Sequence, residues 1–211
     1  MSEPHDTGPS SETTEGLRVL RERIGDCHRC ALGATRTSLV FGFGDPHARL
    51  MFIGEAPGRN EDIKGEPFVG AAGKLLDELL ASIGLIRNDV YIANILKCRP
   101  PGNRDPLPVE VQECTPFLEE QVRLIDPVVI ATLGNHATRF ILKTQRPIST
   151  LRGRLFRRGG MCVVPIFHPA AALYDRSKAD VLFDDFKRLK VVLDRPAGGL
   201  PCTDGDQQSI F

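Results

Sequence analysis

Arg49-Leu-Met-Phe-Ile-Gly-Glu-Ala-Pro-Gly-Arg-Asn-Glu-Asp-Ile-Lys-Gly-Glu-Pro-Phe-Val-Gly-Ala-Ala-Gly73 is the stretch that decides the fold. Leu50 to Gly54 is a short apolar run, the pattern of a strand covered on both faces. It passes directly into Glu55-Ala56-Pro57-Gly58, a turn with one carboxylate at its lip. Two further acids, Glu61 and Asp62, follow, then Pro67-Phe68 and a glycine-spaced helix start from Gly70 to Gly73. A long, Gly- and Pro-punctuated loop at the carboxyl end of a parallel strand is where open α/β sheets bind ligands. The plainer reading is an acidic surface turn.

Working outward, Leu75, Leu76, Leu79, Leu80 and Ile83 recur at helical steps until Gly84. Val90 to Asn94 reads as a second buried strand, Val128 to Thr132 as a third and Cys162 to Phe167 as a fourth, with His168-Pro169 at its end. Between them, Pro108 opens a helix running to Ile125, and Gly134-Asn135 starts another that ends near Lys143. Val181 to Leu193 is amphipathic and closes the domain. Arg152 to Arg158 is a basic stretch on a strand edge or a loop. Apolar strands alternating with helices predict a three-layer α/β/α sandwich around a central four-stranded parallel sheet. Right-handed crossovers place the carboxyl ends of all four strands on one edge, which gathers Glu55, Asn94, Gly134 and His168. An acid, an amide and an imidazole converging from three strands make an active-site constellation.

Residues 1–15 read as a disordered acidic tail, 16–195 as a single domain with a short helix from Gly16 to Ile24, and 196–211 as a flexible tail. No run is long and apolar enough to span a membrane, and no leader is evident, so a soluble, cytoplasmic chain is expected. The formal charge is zero, with 27 Lys and Arg against 27 acids. Glu3, Asp6, Glu12, Glu15, Asp204 and Asp206 all sit in the tails, where no Lys or Arg stands, so the body is cationic and suits a polyanionic ligand.

Six cysteines occur, and a reducing compartment argues against a disulfide framework. Cys27 and Cys30 form a C-x2-C pair, Cys98 and Cys114 a C-x15-C pair. Four such thiolates serve zinc or a [4Fe–4S] cluster alike. A cluster holding a loop against a helix fits the wide separation better, and zinc stays open on spacing alone. Cys162 reads as a small core residue and Cys202 as a tail thiol. Asn94 offers donors and an acceptor to an edge carrying both O and N–H. Phe68 offers a flat face for stacking, His168 an imidazole at the ligand edge. Their structural alternatives are a strand-end turn, a lid packed on the core and a turn cap. Gly73-Lys74 fails the phosphate-loop pattern, and Gly42-x-Gly44 precedes its strand, so it fails the dinucleotide fingerprint.

Gly54-Glu-Ala-Pro-Gly58, Glu61-Asp62, Gly65-x-Pro-Phe-Val-Gly70, Asn94-Ile-Leu-Lys-Cys-Arg-Pro-Pro101, Asn103-Arg104 and His168-Pro-Ala170 together resemble family 4 uracil-DNA glycosylases, in order and spacing, from about Cys27 to Leu193. The resemblance implies a DNA-repair enzyme that flips uracil out of DNA and hydrolyses its N-glycosidic bond, leaving an abasic site without a lyase step. It implies a monomer acting on uracil-containing DNA, with a [4Fe–4S] cluster on Cys27, Cys30, Cys98 and Cys114 that pins the Lys97–Arg104 loop.

By the same likeness Phe68 stacks on the flipped base, Asn94 reads its pairing edge and His168 faces O2. Glu61 crowds C5, and the backbone around Glu55, Ala56 and Pro57 lines the pocket. The better-known uracil glycosylases carry Asp where this chain has Ala56, which leaves Glu55 to orient the water or balance a cationic sugar. A relative that traps DNA covalently has a histidine in an inserted basic loop. Gly102 to Pro106 has neither, so turnover is expected. DNA contacts are expected from Arg99, Arg104, Arg152, Arg154, Arg157 and Arg158, with Leu173 as a wedge. The rivals are the same scaffold acting on hypoxanthine or another deaminated base, and a cluster-bearing DNA-binding module without catalysis.

Overall fold

A computed structural model describes residues 9–195 and 202–204. Its strands are β1 (Phe43–Gly44), β2 (Leu50–Gly54), β3 (Tyr91–Asn94), β4 (Val129–Leu133), β5 (Phe156–Arg158), β6 (Met161–Ile166) and β7 (Thr203–Asp204). Its helices are α1 (Pro9–Ile24), α2 (Arg59–Lys64), α3 (Ala71–Ala81), α4 (Pro108–Ile125), α5 (Asn135–Leu142), α6 (Ile148–Leu151), α7 (Ala170–Tyr174) and α8 (Ser177–Leu193). The strands lie in the order β1-β3-β2-β4-β6-β5-β7. The four expected parallel strands form the centre, in the order β3-β2-β4-β6, and short edge strands extend them. β1 and β5 both pair antiparallel to their inner neighbours.

The period of two in each strand builds two separate cores. Met51, Ile53, Tyr91, Ala93, Ile130 and Val163 point to one face, where they meet α1, α4 and α5. Leu50, Phe52, Ile92, Val129, Ala131, Leu133, Val164 and Ile166 point to the other, under α3 and α8. There Phe52 and Phe186 stack with centroids 5.6 Å apart. The chain crosses from β2 to β3 on the α3 face, then from β3 over to β4 on the α4 face. The direction of winding therefore reverses between β2 and β4, and a crevice opens there at the carboxyl ends.

Two features depart from the expected organisation. The first helix starts at Pro9, ahead of Gly16, so residues 9–15 are helical rather than disordered. Proline is preorganised for a first helical turn. Arg18 pairs with Glu15 and Glu22, and Leu17, Leu20 and Ile24 bury a stripe that anchors the helix. Second, Cys202 is not a loose thiol: it forms a disulfide with Cys162, and β7 beside it pairs with β5. The pairing became possible because the returning chain docks at the β5 edge, bringing the two Cα atoms to 6.2 Å. The basic stretch, expected on a strand edge or a loop, is part loop and part strand, with β5 covering Phe156 to Arg158 between β6 and β7. Residues 1–8, 196–201 and 205–211, which make up the rest of the expected tails, lie outside the described residues. Among the described residues no helix is long and apolar enough to cross a membrane.

Candidate active site

The carboxyl edge of the sheet opens into a cavity of about 410 Å³, lined by Glu55, Ala56, Pro57, Gly58, Glu61, Phe68, Ala72, Asn94, Pro100, Asn103, Arg104, His168 and Ala170. The lining comes from three strand ends, those of β2, β3 and β6, and the segments that follow them. Asn94, the last residue of β3, is 2% exposed. Gly54, opposite it on β2, has to lack a side chain: a Cβ there would stand 2.3 Å from Asn94 Oδ1 and 2.9 Å from Phe68 Cζ.

The Phe68 ring is held by a clasp on its backbone. Phe68 sits at φ +53, a left-handed conformation that a bulky residue keeps only when its surroundings impose it. Glu61 Oε1 accepts the Val69 and Gly70 N–H groups, each at 2.9 Å. From the other side the Arg87 guanidinium donates to the Pro67 carbonyl at 3.0 Å and to the Phe68 carbonyl, and its Nε pairs with Asp77 at 2.5 Å. Sequence reasoning missed Arg87, since nothing in the Ile86-Arg-Asn-Asp89 turn signals a reach back of about twenty residues. Gly73 completes the clasp: a Cβ on it would lie 1.7 Å from the Phe68 carbonyl oxygen.

His168 packs its ring against Phe68, with centroids 5.5 Å apart and planes 27° apart. Desolvation pushes its imidazole down to about 4, opposed by the Glu61 carboxylate. The ring is neutral near pH 7. The Ala170 N–H donates to Nδ1 at 3.1 Å, so the proton of the neutral ring sits on Nε2, free to donate into the cavity.

Behind Asn94 stands a buried cation. Lys97, 1% exposed, donates from Nζ to the Asn94 carbonyl at 2.8 Å and to Gln121 Oε1 at 2.6 Å. Gln121 in turn donates to the Phe41 carbonyl and the Tyr91 hydroxyl. Burial pulls the Lys97 ammonium down to about 8, opposed by the Cys114 thiolate. Although it heads the basic loop, Lys97 is internal to the protein.

Next along lie the four cysteines. Cys98 is buried, while Cys27, Cys30 and Cys114 are half-buried, and none of the four is in a disulfide. All four line one small cleft with Ile24, Leu39, Lys97 and Phe117. The Lys97 backbone N–H donates to Cys114 Sγ at 3.2 Å, and Arg36, another residue the sequence did not flag, donates to Cys98 Sγ at 3.6 Å. Burial pushes the Cys98 thiol up and the Cys114 thiol to about 11, so stable thiolates here need a bound cation.

The expected DNA-contact residues divide. Arg104 lines the cavity mouth, held by both oxygens of Glu110 at 2.9 and 2.5 Å. Arg99 donates to Asn103 Oδ1 at 2.7 Å in the same loop. Arg154 is exposed, over the Phe156 ring. Arg152 is turned inward, its Nε 3.2 Å from the buried Asp185 and its guanidinium over the Phe167 ring.

Arg157 and Arg158 lie at the end of the sheet away from the cavity. β5 runs antiparallel to β6, which sets Arg157 opposite Cys162 and Arg158 opposite Met161, at the start of the strand that ends near His168. Arg158 is also buried, with Nε donating to the Ile141 carbonyl. Leu173 is 50% exposed on α7, and Tyr174 beside it, not foreseen, is 92% exposed. Two further residues that sequence reasoning passed over, Asp105 and His136, stand next to Glu55.

Residues 41–191 match the family model described as the uracil DNA glycosylase superfamily. A type-4 uracil-DNA glycosylase of Archaeoglobus fulgidus is 48% identical over 183 residues, covering 83% of this chain and 92% of the relative. One from Sulfurisphaera tokodaii is 43% identical, covering 83% of this chain and 84% of the relative. One from Thermotoga maritima is 42% identical, covering 83% and 94%. With the parallel sheet, the strand-end cavity and these likenesses together, the chain belongs to the type-4 uracil-DNA glycosylases of the uracil DNA glycosylase superfamily.

Proposed function

We propose that the cavity takes a uracil flipped from DNA and that the chain hydrolyses the bond between the base and its sugar. The observation that carries this is the convergence of Phe68, Asn94 and a neutral His168 in one strand-end cavity. A stacked base is out of reach, and flipping it costs about a few kcal/mol. Phe68 offers its face to the extruded ring, and Asn94 pairs with the O4 and N3–H edge. Glu61, fixed by two N–H groups, crowds position 5, where thymine carries a methyl. As the N1–C1′ bond breaks, its electron pair passes to the base and the sugar gains oxocarbenium character. His168 Nε2–H donates to O2, where the negative charge collects, a contribution of about 3 kcal/mol for one preorganised donor. Water adds to C1′, and the proton it loses passes to solvent or to the departed uracil anion. Glu55, the carboxylate at the lip, orients that water or balances the sugar cation. Arg99, Arg104 and Arg154 supply phosphate contacts and Leu173 fills the gap in the stack.

The four thiols suit a [4Fe–4S] cluster. Among the described residues the only three-donor group with all its atoms within 4.8 Å is Glu55, Asp105 and His136, so no three cysteine sulfurs gather that tightly. A zinc ion would hold its thiolates about 3.8 Å apart, from Zn–S bonds of about 2.3 Å in a tetrahedron. A four-iron cluster spreads them further, because iron and bridging sulfide stand between. Bound to Cys27, Cys30, Cys98 and Cys114, it supplies a rigid cross-link between the N-terminal turn, the loop after β3 and α4. Iron and sulfide in equal amounts per chain, with little zinc, is the expected analysis.

The test is excision from an oligonucleotide holding one uracil, against thymine and hypoxanthine, with alkali to cut at abasic sites. Uracil-dependent cutting supports the reading. Preference for hypoxanthine transfers the activity to another lesion, and DNA binding without cutting of any substrate overturns catalysis. In the same assay Arg87→Ala lowers kcat/KM about 10-fold, since the Phe68 carbonyl loses its donor and the ring its fixed pose.

A further inference from the structure

Three elements meet in the crevice between β2 and β4, where the winding of the sheet reverses. Glu55 heads the loop after β2. His136 stands in the first turn of α5, directly after β4. Asp105 follows the Pro100–Arg104 loop, which comes from β3. His136 Nε2 lies 3.9 Å from Glu55 Oε2 and 3.6 Å from Asp105 Oδ1. These separations exceed hydrogen-bond reach, so the groups act on one another through charge, which His136 carries only when protonated. The side chains are 29% exposed for Glu55, 43% for His136 and 80% for Asp105, a gradient from cavity lip to solvent.

We propose that His136 is a positioning residue for the reaction: its imidazolium, flanked on the outside by Asp105, keeps the Glu55 carboxylate ionised at the lip of the cavity. The inference rests on the role given to Glu55 above. That carboxylate has reason to need help. Burial pushes it up from its ordinary range, Asp105 adds to the push, and His136 opposes both. Other charged groups of the cavity are engaged elsewhere: Arg104 with Glu110, and Glu61 with the Val69 and Gly70 N–H groups. His168 carries no charge near pH 7 to substitute for His136. A neutral Glu55 could neither balance an oxocarbenium sugar nor take a proton from water.

The signs of the two neighbours are opposite, and that makes the test selective. The readout is the acid limb of the kcat/KM profile on a single-stranded uracil oligonucleotide, for the whole protein at low salt. His136→Gln removes the cation, so the limb moves up by about half a pH unit and the rate at pH about 5 falls about 3-fold. Above the limb, where Glu55 is ionised in both proteins, the same variant matches wild type. Asp105→Asn removes the competing anion and moves the limb down. His136→Lys restores the cation and returns the limb to its place. Since Asp105 is largely exposed, its replacement leaves folding alone.

Glu55→Gln removes the limb altogether. Should Glu55→Gln remove it while His136→Gln and Asp105→Asn leave it still, or move it the same way, the positioning role is overturned. Should Glu55→Gln keep both the limb and the rate, the role of Glu55 itself falls, and with it this inference.

Discussion

His168→Ala lowers the rate of uracil excision about 100-fold or more, with DNA affinity nearly unchanged. The size follows from the loss of one preorganised donor at the atom where charge develops, worth about 10²–10³ in kcat. It follows too that the loss falls on kcat more than on KM, because the hydrogen bond to O2 strengthens only as the base departs. The ring also leaves a mark on stability. Its folded-state titration, near 4, lies below the ordinary imidazole range, so between pH about 6.5 and 4 the unfolded chain binds the extra proton. Stability is therefore lost as the pH falls through that window, by up to about 3 kcal/mol. His168→Ala removes this dependence, and denaturant melts at pH about 7 and 4.5 read it directly. An equal fall of wild type and variant would show that the ring titrates normally.

Gly73→Ala is the second large effect, and it acts through backbone. The new methyl would meet the Phe68 carbonyl oxygen at 1.7 Å and its carbon at 2.2 Å, and neither atom can rotate away. The loop must shift, and with it the Phe68 platform, the Glu61 contacts to Val69 and Gly70 and the Arg87 contacts to Pro67 and Phe68. Overpacking of this kind costs about 3 kcal/mol, or about 6–12 °C in Tm for a chain of this size. The rate falls about 100-fold as well, because a misplaced platform misorients the base. Parallel thermal melts and excision rates test both halves. A variant that melts low but excises at the wild-type rate would free Phe68 from any part in catalysis.

The sheet was legible because its four central strands are covered on both faces and therefore read as unbroken apolar runs. Their ends gave Glu55, Asn94 and His168 directly, since a parallel sheet brings all such ends to one edge. Phe68 was legible from its aromatic ring in an otherwise polar loop. The supporting residues were not. Arg87 reaches the Phe68 loop with a long side chain from a turn near β3, and His136 meets Glu55 only because β2 and β4 are neighbours in the sheet. Strand order, not local pattern, makes that contact. The place of the β5 arginines, away from the cavity, was not legible for a related reason: charge does not say in which direction a strand runs. The start of α1 was obscured by Ser, Thr and Glu, residues that suit a helix's first turns as well as a disordered tail. The Cys162–Cys202 bond depends on where the returning chain docks, which no local signal records.

The Lys97–Gln121 pair has a consequence for inheritance. A lysine sealed from water, satisfied by one glutamine and one carbonyl, tolerates neither partner changing alone. Loss of Gln121 strands the ammonium, and loss of Lys97 strands the Asn94 carbonyl and the glutamine oxygen. Replacement of both by apolar groups of matching volume is the one inexpensive route out. Across relatives, positions 97 and 121 should therefore change together or stay together, a covariation between the loop of Cys98 and the helix of Cys114 with Asn94 constant beside it.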